Sequence, residues 1–159
     1  MNMNSKIQKI ELTYPTEENY IASAGNLYRT IATGTQTKER FSLLLSILEP
    51  GQGGPLHTHT FEQESFYILK GRLTVFDAEQ RFSAPSGTFV FCPEGAKRGF
   101  RNETKERVEM LIFYTPAGIE KMIEMDGTPV QCLENYLSQS DSTELACPAL
   151  NQQFGIEEL

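Results

Sequence analysis

The chain has 159 residues, a formal net charge of −7 and 39% hydrophobic residues. This length predicts one domain with a real core, and the negative charge argues against nucleic acid or an anionic membrane as a partner. The three cysteines are widely spread and the start is polar without a secretory signal, so we expect free thiols in a cytoplasmic protein.

The first half of the chain begins with a polar segment. Residues 1–24 contain Pro15 and paired glutamates, which predict an extended arm or edge strand. Residues 26–32 and 41–48 are rich in apolar side chains, and the polar stretch 34–39 between them predicts a hairpin loop. Glycine and proline cluster at residues 50–55 and predict a turn. These glycines either make the bend alone, which is favoured, or also let backbone approach the mouth of a site closely.

Both histidines of the chain follow this turn. His57 and His59 stand two residues apart, so on a strand both imidazoles point to one face. Glu64 starts the next apolar run, and a turn between the two strands brings its carboxylate back to the same point. Two imidazoles and a carboxylate make a candidate metal site. Taken alone, such a histidine pair is more often only hydrogen-bonded or exposed.

Short strands continue to residue 116 and helices follow. Short predicted strands at 66–69, 72–76, 88–92, 98–102 and 108–114, separated by Gly and Pro turns, indicate an antiparallel sandwich or barrel. Beyond them, helical spacing appears around residues 119–127, 132–137 and 148–155. These short helices either pack on the barrel, which is favoured, or form a lid over a substrate.

Alternation along the strands predicts which side chains enter the barrel. The inward residues would form a mostly apolar pocket with three potential metal ligands and one arginine, a default site for a small-molecule ligand. The predicted inward set is His57, His59, Glu64, Phe66, Ile68, Arg98, Phe100, Asn102, Val108, Met110, Ile112 and Tyr114.

The spacing of these residues resembles the two motifs of the cupin superfamily. The first motif is matched at Gly51, His57, His59, Glu64 and Gly71, and the second at Gly87, Pro93, Gly95 and Asn102. One position departs, because Arg98 stands where the second motif carries a histidine. Residues 57–76 are similar to the small quercetin-dioxygenase-like cupins.

The resemblance implies an all-β fold, the cupin double-stranded β-helix or jelly-roll barrel, with short C-terminal helices. The implied division is an N-terminal arm at residues 1–24, a cupin barrel at 25–116 and a C-terminal helical extension at 117–159, a single domain overall. The exposed edges of such a barrel need cover, and the arm offers a strand for pairing, so we expect a homodimer.

The implied function is a metal-dependent dioxygenase acting on a small phenolic or anionic organic molecule. His57, His59 and Glu64 would hold a divalent ion of iron, manganese, nickel or zinc. Glu64 and Arg98 would be catalytic, Glu64 as a base toward a substrate hydroxyl and Arg98 by orienting an anionic group.

Arg98 leaves several outcomes open, because a guanidinium keeps its charge and cannot be a metal ligand. It turns away to solvent, holds an anionic substrate against the metal, or pairs with Glu64 and leaves the site without metal.

Two alternative functions follow. One is a metal-free small-molecule-binding module or sensor. The other is a metal-free isomerase or epimerase, with either histidine as base and Tyr67 or Tyr114 as acid.

Overall fold

A computed structural model of the chain describes residues 9–139 and 148–159. Several of its strands coincide with runs of aliphatic and aromatic residues between Gly and Pro turns. The strands are β1 (Tyr20–Ser23), β2 (Asn26–Ala32), β3 (Ser42–Leu48), β4 (Gly53–His59), β5 (Gln63–Lys70), β6 (Arg72–Phe76), β7 (Arg81–Pro85), β8 (Phe89–Cys92), β9 (Arg98–Arg101), β10 (Val108–Thr115), β11 (Thr128–Val130) and β12 (Ile156–Glu158).

The helices of these residues are short. They are α1 (Gly34–Thr37), α2 (Ile119–Asp126), α3 (Leu133–Gln139) and α4 (Pro148–Gln153). The last three confirm the helices predicted after residue 116. The first lies inside the predicted hairpin loop, where Thr33 and Gln36 form a capping box that satisfies backbone N–H groups of the turn. None of the described helices has the length and apolar character needed to cross a bilayer.

The strands form two antiparallel sheets. The larger has the order β11-β1-β2-β3-β10-β5-β8, and the smaller has the order β12-β4-β9-β6-β7. In the larger sheet β10 pairs with both β3 and β5 along nearly its whole length, so the last barrel strand is an interior strand of that sheet. The predicted all-β jelly roll with short C-terminal helices is confirmed by this arrangement.

Alternate side chains of the strands meet between the two sheets, as predicted. Along β10, Val108, Met110, Ile112 and Tyr114 are buried while their neighbours are only half-buried. Burying a large apolar side chain contributes about 1.5–3 kcal/mol, so this interior fixes the register of the strands that carry polar groups. The inward residues predicted on β4 and β5 are buried as well: His57, His59, Glu64, Phe66 and Ile68.

The segments outside the barrel add strands to the two sheets. From the N-terminal segment, β1 pairs with β2. From the C-terminal segment, predicted as helical, β11 pairs with β1 and β12 pairs with β4. Three-residue strands are too short to show alternation, and the polar sequence of β12 does not resemble a buried strand. The helical prediction for residues 117–159 was therefore incomplete.

The arm before β1 contributes no strand or helix in residues 9–19. Ile10, Leu12 and Tyr14 are 92%, 69% and 72% exposed. Side chains spaced two residues apart share one face of an extended chain. The arm thus presents three apolar side chains that its own barrel does not cover.

Candidate metal centre and ligand cavity

Neighbouring strands bring the candidate ligands to one place inside the barrel. His57 and His59 lie at the end of β4, and Glu64 lies near the start of β5. Tyr114 on β10 is the register partner of Glu64, and Arg98 on β9 is the register partner of His57. The predicted convergence of two imidazoles and a carboxylate is therefore present, with a tyrosine and an arginine beside it.

The three candidate ligands are buried and close together. His57 Nε2 and His59 Nε2 are 3.2 Å apart. His59 Nε2 is 3.5 Å from Glu64 Oε2. One ligand atom from each residue lies within 4.8 Å of the other two. Among the described residues, no other set of three histidine, cysteine, aspartate or glutamate side chains is grouped in this way.

The opposite side of each imidazole is held by an oxygen acceptor. His57 Nδ1 is 2.7 Å from the Pro55 carbonyl oxygen, which can only accept, so Nδ1 carries the hydrogen. His59 Nδ1 is 3.3 Å from the Glu62 carboxylate, to which it donates in the same way. These contacts leave both Nε2 atoms facing each other inside the barrel. Outer hydrogen bonds of this kind orient metal-binding histidines and fix their tautomers.

This donor set fits a divalent metal ion. Two nitrogen lone pairs that face each other repel unless a cation, either a proton or a metal ion, lies between them. Metal–ligand bonds of about 2.1 Å at angles of about 90–110° place ligand atoms about 3.0–3.4 Å apart. Two of the three separations, 3.2 Å between the Nε2 atoms and 3.5 Å from His59 Nε2 to Glu64 Oε2, lie close to that range, and the third, between His57 and Glu64, lies within 4.8 Å. Imidazole nitrogen and carboxylate oxygen suit zinc, iron, manganese and nickel.

Burial and charge hold the two kinds of ligand in their metal-binding forms. Burial lowers the pKa of His57, which favours the neutral imidazole. Burial by itself raises the pKa of Glu64, but His59, His57 and Arg98 together lower it below its usual value. Burial, followed by the charge of Glu64, also raises the pKa of Tyr114 well above its usual value, so its hydroxyl stays protonated. The site thus contains a carboxylate and an imidazole with an available lone pair.

Arg98 is buried beside Glu64 and does not turn to solvent. Its side chain is 2% exposed, and its Nε lies 3.4 Å from Glu64 Oε1. Its Nη1 donates to the Ala96 carbonyl oxygen at 2.8 Å. The two oxygens of Glu64 therefore have different neighbours, since Oε1 faces Arg98 and Oε2 faces His59. Of the three outcomes considered for Arg98, the solvent-facing one is wrong because the side chain is enclosed on β9.

A cavity of about 180 Å³ opens beside the candidate ligands. His57, His59 and Glu64 form part of its wall, and apolar side chains from β9, α2 and β12 form much of the rest. Arg98 is not among the lining residues, because it lies behind Glu64. Its predicted role as a clamp on an anionic substrate has no supporting contact in the described residues. The lining side chains used below are Asn26, Tyr28, Arg101, Asn151, Ile156 and Glu158.

The glycine cluster before β4 serves both purposes considered for it. Gly51 has a φ of +86°, the left-handed conformation that a tight turn requires. Gly53 lies so close to β9 that a Cβ there would overlap the carbonyl oxygen of Phe100. Close approach of β4 and β9 is therefore built into the strand that carries both histidines.

Several residues of the site were missed from the sequence. Glu62 stands three residues after His59, a spacing that gives no signal in an irregular turn. Asn26 donates to the Tyr28 hydroxyl at 3.2 Å and to the Gly53 carbonyl oxygen at 2.9 Å, which links the two sheets at the cavity. Residues near the end of the described chain reach the cavity only through strand pairing about one hundred residues away in sequence.

Comparison with known proteins identifies the fold family and one curated relative. A family model described as "Cupin domain" matches residues 44–120. Quercetin 2,3-dioxygenase of Bacillus subtilis (strain 168) is 24% identical over 116 residues, which cover 72% of this chain and 34% of that enzyme. The matched region thus spans about a third of the length of this relative.

Solved structures share the fold at lower identity. KdgF from a Halomonas species has a TM-score of 0.61 and 12% identity, covering 70% of this chain and 99% of that one. A predicted oxalate decarboxylase from Thermotoga maritima has a TM-score of 0.61 and 19% identity, covering 67% and 99%. The polyketide cyclase RemF from Streptomyces resistomycificus has a TM-score of 0.58 and 19% identity, covering 67% and 80%. These similarities bear on the fold alone.

Proposed function

Because this chain is a small cupin, a member of the cupin superfamily, we propose that it is a metal-dependent dioxygenase acting on a small hydroxylated organic molecule. His57, His59 and Glu64 bind the metal ion. The observation that carries the proposal is the pair of imidazole Nε2 atoms 3.2 Å apart, with a carboxylate oxygen 3.5 Å from His59 Nε2.

The metal ion is iron, manganese, nickel or zinc, and three protein ligands leave coordination positions open. A metal bound here supplies Lewis acidity and, if it is redox-active, reactivity toward oxygen. The chain's own residues orient the metal ligands and bind the substrate. Glu62 and the Pro55 carbonyl fix the histidine tautomers, and Glu64 presents a carboxylate to the cavity that accepts a hydrogen bond from a substrate hydroxyl.

The cavity and the relative support the proposed substrate class. Apolar side chains from three elements surround the open side of the candidate metal site, which suits a small planar molecule. The curated relative is named for quercetin, a polyhydroxylated aromatic molecule. Together they support a phenolic or related hydroxylated substrate.

A second candidate is a metal-free binding module, and the contact between Arg98 and Glu64 favours it. A guanidinium 3.4 Å from a carboxylate oxygen competes with a metal ion for the same negative charge. In this alternative the site keeps its buried ion pair and binds a small molecule without a metal.

Metal content separates the two candidates. Protein purified without a histidine tag is analysed for metals, then titrated calorimetrically with iron, manganese, nickel and zinc. We expect about one ion per chain with wild type and loss of binding with His57→Ala or Glu64→Gln. Glu103→Gln, at an exposed glutamate, is the control. Oxygen uptake with quercetin as the probe then tests dioxygenase activity. Absence of binding for all four metals would leave the metal-free module.

A further inference from the structure

The segment after residue 147 forms one wall of the ligand cavity. β12 pairs with β4, the strand that carries both histidines, with Ile156 opposite His59 and Glu158 opposite His57. Two further backbone bonds extend the pairing: Thr60 N–H donates to the Gly155 carbonyl at 2.8 Å, and Leu159 N–H donates to the Leu56 carbonyl at 2.9 Å. Side chains of β12 are thereby placed at fixed positions beside the candidate metal ligands.

The two glutamates of β12 lie on opposite faces of it. Directly paired residues of antiparallel strands share a face, so Glu158 lies on the face of His57 and lines the cavity. Glu157 is paired with Thr58, points to the other face and does not line the cavity. Both glutamates are exposed, but only Glu158 lines the cavity beside the candidate metal ligands.

Asn151 on α4 holds the carboxylate of Glu158 in place. Its Nδ2 donates to Glu158 Oε1 at 3.1 Å. Asn151 is only 7% exposed and lines the same cavity. Its Oδ1 is buried without a hydrogen-bond partner among the described residues. The wall therefore contains a positioned carboxylate and an amide oxygen that still lacks a donor.

The charges around the cavity are mostly negative near the candidate metal site. The charged lining residues are Glu64, Glu158 and Arg101, besides the two histidines. Arg101 is exposed and pairs with Gly53 at the far end of β4. His57 lies four positions further along β4, about 13 Å away. Apart from the metal ion of the proposed function and Arg98 behind Glu64, a ligand at His57 therefore meets Glu158 before it meets Arg101.

We infer that Glu158, held by Asn151, is a specificity-determining residue that selects neutral hydroxylated ligands and disfavours ligands carrying a carboxylate. This rests on the proposed function and replaces the anionic substrate class expected from Arg98. A neutral hydroxyl donates to a carboxylate or to a free amide oxygen, whereas a ligand carboxylate is repelled by Glu158 and can donate to neither group.

The test compares two probes that differ in one charge. 3,4-Dihydroxybenzamide and 3,4-dihydroxybenzoate have the same ring, diol and size, and only the second is anionic away from the diol. Each is titrated calorimetrically into zinc-loaded full-length protein. Wild type is expected to bind the amide more tightly. Glu158→Gln keeps an oxygen that accepts from Asn151 and should tighten benzoate binding about two- to fivefold, the size expected for an exposed charge, while leaving the amide nearly unchanged. Glu157→Gln, the matched control, should change neither.

Other outcomes overturn the inference. Equal effects of Glu158→Gln on both probes, or equal effects of both glutamate variants on the benzoate, would show no local charge selection. Failure of wild type and variants to bind either probe would rule out the hydroxylated ligand class. If none of the four metals binds, the proposed dioxygenase function fails by itself. The same titrations on the metal-free protein then decide the role of Glu158 separately.

Discussion

Replacing Arg98 with histidine should strengthen metal binding. Arg98 occupies the position at which the resembled motif carries a histidine, and its register partner on β4 is His57. In wild type its Nε lies 3.4 Å from Glu64 Oε1, and both side chains are 2% exposed. Arg98→His removes the permanent charge that competes for Glu64 and offers an imidazole to the same site.

The distance in the structure gives the size of the effect. Unit charges at 3.4 Å attract by about 5 kcal/mol at an effective dielectric of about 20. Removing one partner of a buried ion pair costs about 3–5 kcal/mol while the other stays charged. The loss raises the free energy of the metal-free folded variant by this amount. A bound metal ion restores a positive charge next to the Glu64 carboxylate and recovers part of it. If only about 1.4 kcal/mol of it is recovered, metal affinity rises tenfold.

Calorimetric titration with zinc, nickel and manganese measures the change directly. Arg98→His should bind at least about tenfold more tightly than wild type, and its metal-free form should unfold at a lower temperature. Arg98→Lys keeps the charge and should stay near wild type. Arg72→His adds an imidazole at an exposed position of β6 and controls for non-specific binding. Equal or weaker affinity in Arg98→His would refute the competition argument and show that Arg98 orients Glu64 for the metal.

Three further results are expected. Glu62→Gln weakens the acceptor of His59 Nδ1 and should lower zinc affinity about 10- to 100-fold in the same titration, and an unchanged affinity would contradict its orienting role. Burial raises the pKa of Cys92 to about 11, so this thiol should react slowly with iodoacetamide at a pH of about 8. Site-resolved mass spectrometry should find exposed Cys132 labelled and Cys92 unlabelled until denaturant is added. Light scattering should find wild type at twice 17.9 kDa, and Leu12→Asp on the exposed arm should return the monomer; a monomeric wild type would contradict pairing through the arm.

The interior of the barrel was predictable because its pattern is local. Val108, Met110, Ile112 and Tyr114 alternate along one strand, and a period of two fixes which side of the sheet each one faces. The convergence of His57 and His59 with Glu64 required only that the turn between β4 and β5 preserve this parity. Hydrophobic burial enforces that register, since a slip by one residue would expose the whole set.

The remaining features of the site depend on contacts that sequence spacing does not contain. The Arg98 side chain can point to solvent, to a ligand or to Glu64. Which of these it does depends on the distance between β9 and β5. Glu62 reaches His59 through an irregular turn without periodicity. The position of Glu158 depends on the strand with which β12 pairs, which is β4. Short polar segments carry no pattern that would identify their partner.

The pairing of β12 also has a consequence for how the molecule opens. It joins residues about one hundred positions apart in sequence through a strand of three residues at the edge of a sheet. Short edge elements open with a small free energy, whereas central strands exchange only on global unfolding. In native-state hydrogen exchange, the Thr60 amide, bonded to Gly155, should therefore exchange well before amides in the centre of β10. Brief local unfolding of this edge would expose the histidine strand to solvent while the rest of the barrel stays folded.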